Sequence, residues 1–88
     1  MEQQGETKQE FPMWFTGQIY DEGAEVTNKF SGEKFTLNRI ELSIYDFIMG
    51  ANHVGEAYGW PRDLVEDMRK GLAWFRKNNP EAYMKLLD

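Results

Sequence analysis

The chain has 88 residues and sets fifteen acidic side chains against ten basic ones, a formal charge of −5. That length supports one domain, which buries only about 60–65% of the surface its unfolded chain exposes, and the negative charge argues against general nucleic-acid binding because it repels a phosphate backbone. Without cysteine there is neither a disulfide framework nor a thiolate zinc site, and thirteen aromatic side chains supply core volume instead.

Residues 1–10, MEQQGETKQE, are polar and bury too little to offset their ordering entropy, so they are expected to form a disordered tail ahead of a single domain over residues 11–88. They also lack the basic start and apolar run of a signal peptide. No segment approaches the roughly 18 apolar residues of a membrane span. The expectation is a soluble protein with no membrane role, acting in the cytoplasm.

From Met13 the pattern turns to period two, with Met13, Phe15, Gly17 and Ile19 on one face, which predicts a first strand. The turn residues of "DEG" at 21–23 precede a better-patterned second strand, in which Ala24, Val26, Asn28 and Phe30 alternate with polar residues. Ser31-Gly32 then leads to Phe35 and Leu37. Ser-Gly reads either as a tight hairpin turn or as a longer loop with Gly32 left-handed. The apolar face of Phe15, Ile19, Val26, Phe30, Phe35 and Leu37 is expected to meet Ile44, Phe47 and Ile48.

Asn38 followed by Glu41 matches a capping box and starts a helix. Ile40, Ile44, Phe47, Ile48 and Ala51 recur at helical spacing, and Leu42, Tyr45 and Met49 widen the apolar surface well past a third of the circumference. Such a helix is expected to touch something on two sides. Gly55 is its predicted stop. Pro61 opens a second helix with Asp63 near its positive end and Leu64, Val65, Met68, Leu72 and Phe75 as its buried stripe. "KNN" at 77–79 closes it, and Asn79-Pro80-Glu81 caps a short third helix carrying Tyr83, Leu86 and Leu87.

Together these elements predict an α+β fold. A small antiparallel sheet, either a hairpin or a three-stranded meander, is packed by two main helices and a short C-terminal helix. Trp74 falls off the stripe of Leu64, Met68 and Phe75, so it either packs under the terminal helix or faces outward.

Catalytic chemistry is scarce. His53 is the single histidine, no G-x-S-x-G nucleophile motif is present, and the adjacent acids Asp21-Glu22 and Glu66-Asp67 point away from one another. The glycines at 50, 55 and 59 form neither a Walker loop nor a dinucleotide fingerprint. The expectation is therefore a non-enzymatic protein without metal or cofactor.

Two features suggest interaction instead. Arg62, Arg69 and Arg76 recur every seven residues, with Lys70 and Lys77 beside them. They read as a solvated face, or as a basic stripe that meets an acidic partner surface or a phosphate-bearing ligand through arginine forks. The loop "NHVGEAYGWP" sets His53, Tyr58 and Trp60 among glycines, either sealing the interhelical turn or furnishing a pocket.

The segments "ELSIYDFIMGA" at 41–51 and "KGLAWFRKNNPEAYMKLLD" at 70–88 resemble short bacteriophage proteins, particularly those of marine tailed phages. The resemblance covers roughly the C-terminal half and is most specific at "WFRKNNPEAY". It implies no reaction, cofactor or site residue. It implies a small accessory protein inside a bacterial host's cytoplasm.

The reading that results is a small acidic binding protein acting on a host protein, with a homodimer as the other use of the same surface. The alternative is sequestration of a small anionic or nucleotide ligand by the basic helix and the aromatic loop. Candidate interaction residues are His53, Tyr58, Trp60, Arg62, Arg69, Arg76 and Trp74.

Overall fold

A computed structural model describes residues 9–87, so most of the expected tail lies outside the described residues. The elements are β1 (Ala24–Thr27), β2 (Lys34–Leu37), α1 (Arg39–Tyr58), α2 (Arg62–Asn78) and α3 (Pro80–Ala82), which runs on into a π-helical turn over Tyr83–Leu87. The fold is α+β: a two-stranded antiparallel hairpin against two main helices and a short C-terminal helix.

In the hairpin Ala24 lies opposite Leu37 and Val26 opposite Phe35. β1 stops at Thr27, short of the alternation that runs to Phe30, because Asn28 bends the chain. Its side-chain oxygen accepts from the amides of Phe30 (2.8 Å) and Ser31 (3.2 Å), and its carbonyl accepts from Gly32 N–H at 2.8 Å. The connection is thus the longer of the two loops the sequence allows, with Gly32 at φ +80°. Phe30 is thrown outward and is 99% exposed, so it does not join the sheet face.

The predicted first strand is absent, since residues 11–23 form turns and bends. Their aromatics find a helix rather than a strand partner. Pro12 accepts a turn hydrogen bond from Phe15 N–H (3.0 Å), Phe11 stacks on Phe15, and both Trp14 and Phe15 pack on Phe47 at centroid distances of 5.9 and 5.4 Å. Tyr20 N–H donates to the buried Ser43 Oγ (2.9 Å), which donates to the Arg39 carbonyl (2.7 Å), so both polar atoms are satisfied. Phe15 therefore meets Phe47 as expected, whereas Ile19 remains 55% exposed.

The capping box that starts α1 is formed as the sequence predicts. Asn38 Oδ1 accepts from Glu41 N–H at 2.8 Å and Glu41 Oε1 accepts from Asn38 N–H at 3.0 Å. The helix does not stop at Gly55. It continues to Tyr58 and is capped by Gly59. Gly55 serves close packing instead, because a Cβ there would stand 2.3 Å from the Trp60 ring.

α2 begins after Pro61, carries Asp63 in its first turn and Arg76 and Lys77 in its last, and ends at Asn78. This order of charge complements the helix dipole. Phe75 is fully buried, Leu64, Met68 and Leu72 are half-buried, and Val65 faces outward, which removes it from the predicted stripe. Asn79 closes α2 through its amide and caps α3 by accepting from Ala82 N–H (3.2 Å). Ala82 and Leu86 then join Leu37, Ile44, Ile48 and Phe75 in one core. The terminal helix is docked on this protein's own interior.

The two main helices meet where Gly71 lies against Ile48, and a Cβ at Gly71 would stand 2.5 Å from Ile48 Cγ1. Gly71→Ala should therefore lower stability by about 1–3 kcal/mol through overpacking. Gly50→Ala is the control, since nothing lies within 4 Å of a Cβ there. In an exposed helix interior it should raise stability by about 1 kcal/mol. Urea denaturation of both variants checks the pair, and stabilisation by both substitutions would contradict this helix contact.

Candidate functional site

α1 carries more apolar surface than its neighbours cover. Ile44, Ile48 and Ala51 are buried, and Phe47 receives Trp14 and Phe15. Tyr45 and Met49 remain. With Ile48 and Asn52 they form one wall of a cleft of about 260 Å³, and Met68 and Leu72 of α2 form the facing wall. The hairpin residues 27–30 and Leu86 and Leu87 of the C-terminal turn complete its lining.

A single hydrogen bond joins two of these boundaries. Asn28 Nδ2 donates to the Lys85 carbonyl at 2.9 Å. Lys85 lies in the last helical turn, where carbonyls have no partner within the helix. One asparagine thus shapes the hairpin loop through its oxygen and holds the C-terminal turn through its nitrogen.

The cleft is mainly apolar, with Tyr45, Asn52, Asn28 and Lys29 as its principal polar side chains. Burial raises the Tyr45 pKa above its ordinary value by disfavouring the phenolate. The Tyr20 phenol, outside the cleft, is also raised, first by desolvation and then by the charge and hydrogen bonding of Asp46.

The residues singled out from the sequence lie mostly around the outside. His53 is exposed on α1, Tyr58 is 86% exposed at its end, and Trp60 covers Gly55 while keeping part of its ring in solvent. Arg62, Arg69 and Arg76 are exposed along α2. Arg69 lies 3.6 Å from Glu66, whereas Arg76 sits over the Tyr83 ring at 5.4 Å and donates to its hydroxyl at 3.3 Å. At about 1.5 Å per residue, Arg62 and Arg76 are about 21 Å apart along the axis. One small anion cannot touch all three arginines.

Trp74 is half-buried, with its ring edge-on to Phe75 at 5.2 Å. It is two residues from Leu72, about 200° round the helix and away from the cleft. With Trp14, Lys70 and Lys77 it lines a shallow depression on the other flank of α2.

Sequence reasoning missed the cleft because its walls come from four separated segments. Its one local signal was Tyr45 and Met49 widening the apolar face of α1. Among the described residues no three His, Asp or Glu side chains gather as a metal site would, and no helix is long and apolar enough to cross a membrane. No family model, curated protein or solved structure matches the chain significantly.

The raised Tyr45 pKa sets a pH dependence. Because the folded state favours the neutral phenol, this contribution is fully present below the unfolded value of about 10 and is lost as pH rises through the higher folded value. Thermal melts should show a steeper fall above about pH 10 for the wild type than for Tyr45→Phe. Parallel curves would contradict burial of this phenol.

Proposed function

We propose that this is a small non-enzymatic binding protein that receives an apolar segment of a protein partner in the cleft between α1 and α2. The cleft itself carries this reading. At about 260 Å³ it falls just below the roughly 300–1,000 Å³ of pockets that enclose a whole small ligand. It suits the anchoring side chains of a larger partner better. The fully exposed Phe30 lies along its border and extends the apolar surface outward.

An 88-residue chain has little apolar surface to spare for an unfilled groove. Leaving Tyr45, Met49, Met68 and Leu72 open to a cleft has a stability cost that a binding role would explain. The resemblance of the C-terminal segment to short phage proteins suggests the setting, an accessory protein that acts on a host protein. Self-association through the same surface is the competing use.

Methionine methyl NMR tests the site. Titration with an amphipathic helical peptide should shift the Met49 and Met68 methyl signals and leave Met13, on the N-terminal segment, in place. Movement of Met13 with Met49 and Met68 fixed would put the interaction elsewhere. No movement with any amphipathic peptide would count against the binding role.

A further inference from the structure

We infer that the segment received by the cleft is an acidic amphipathic helix, lying along the groove with its carboxylates on Arg62, Arg69 and Arg76. This rests on the cleft as the binding site and adds the chemistry of its occupant.

The turn of α2 sets its arginines beside its apolar row. Successive residues are about 100° apart, so Arg69 and Arg76 stand about 60° and 40° from Leu72, and Arg62 stands about 60° from Val65. Leu72 lines the cleft, and the outward-facing Val65 continues its apolar row. The arginine row is therefore the outer rim of the groove. Its spacing was visible in the sequence; its position beside an apolar cleft was not.

The rim specifies its partner by charge and by period. All three arginines are exposed. Arg69 meets Glu66 only in an exposed pair at 3.6 Å, and Arg76 rests on Tyr83 without a carboxylate partner at that contact. Arginines whose backbone positions repeat every about 10.5 Å along a helix match carboxylates seven residues apart on a second helix, and the apolar floor matches side chains on that helix's adjoining face. On the opposite rim Glu56 lies about 40° round α1 from Asn52. It would repel acids along that side, whereas Lys29 borders the cleft at its hairpin end, so the arginine flank is the longest stretch of the border that favours acidic residues.

This chemistry disfavours two other occupants. A nucleic-acid backbone offers no apolar row for Val65, Met68 and Leu72, and the chain's charge of −5 opposes its approach. A second copy is disfavoured because the acids of α1 (41, 46 and 56) and of α2 (63, 66 and 67) include no pair seven residues apart within one helix.

Fluorescence anisotropy with three labelled helical peptides of about 18 residues tests the inference, a length chosen to span the arginine row. The first carries a leucine stripe with glutamates seven residues apart on one flank, the second replaces those glutamates by lysine, and the third replaces the leucines by serine. The full chain should bind the first at least about tenfold more tightly than the others, and added salt should weaken that binding. The exposed triple change Arg62→Glu, Arg69→Glu and Arg76→Glu should reverse the preference between the first two. Phe30→Ser and Val65→Ser, which remove apolar surface without adding charge, should weaken the first without altering the fold.

Equal binding of the glutamate and lysine peptides, unaffected by the triple change, would overturn the acidic partner while leaving the cleft as a binding site. Failure of every leucine-bearing peptide would overturn both. Light scattering that showed a dimer dispersed by Phe30→Ser would assign the groove to a second copy and overturn the acidic helix.

Discussion

The Glu41 carboxylate is the point at which the chain's separate segments are tied together. Its residue is only 5% exposed, yet it accepts from Asn38 N–H at 3.0 Å, from Gln9 Nε2 at 2.9 Å and from Asn79 Nδ2 at 2.9 Å. A buried carboxylate is tolerated only when its oxygens are fully engaged, and the first turn of a helix adds a favourable dipole. Satisfying this one side chain places the N-terminal segment, the start of α1 and the junction of α2 with α3 at the same time. Asn38 Nδ2 strengthens the tie by donating to Gln9 Oε1 at 2.9 Å.

The cleft follows from that placement. With Asn79 held by Glu41, the C-terminal helix folds back over Phe75, burying Ala82 and Leu86 and bringing Leu87 to the cleft. Asn28 then fastens the hairpin loop to the Lys85 carbonyl. The helix pair approaches closely at Gly71, on the core side, while Met68 and Leu72 stand apart from Tyr45 and Met49 across the groove. A few polar side chains thus set the outline of an apolar surface.

The sequence was most legible where structure is local. The capping box of Asn38 and Glu41 and the cap at Asn79 depend on neighbours three residues away, and the structure forms them as expected. The helix pair and hairpin were readable from periodicity. Met13 to Tyr20 misled because an alternating pattern records burial of every second residue, whereas Trp14 and Phe15 both find cover on Phe47. Gly55 misled for a related reason: its lack of a side chain answers to the Trp60 ring five residues on, not to the end of a helix. Glu41 showed its capping role but not its partners at Gln9 and Asn79, which lie 32 and 38 residues away. The arginine stripe was visible without the groove beside it, since the cleft exists only after four segments assemble.

A double-mutant cycle on Glu41 and Asn79 tests the central tie most directly. Unfolding free energies would be compared for the wild type, Glu41→Ala, Asn79→Ala and the double variant. If the buried carboxylate holds the C-terminal junction, the two changes should be coupled by about 1–3 kcal/mol, because removing either partner strands the other. Additivity within about 0.5 kcal/mol would contradict it, showing that the C-terminal helix is placed by its apolar contacts alone.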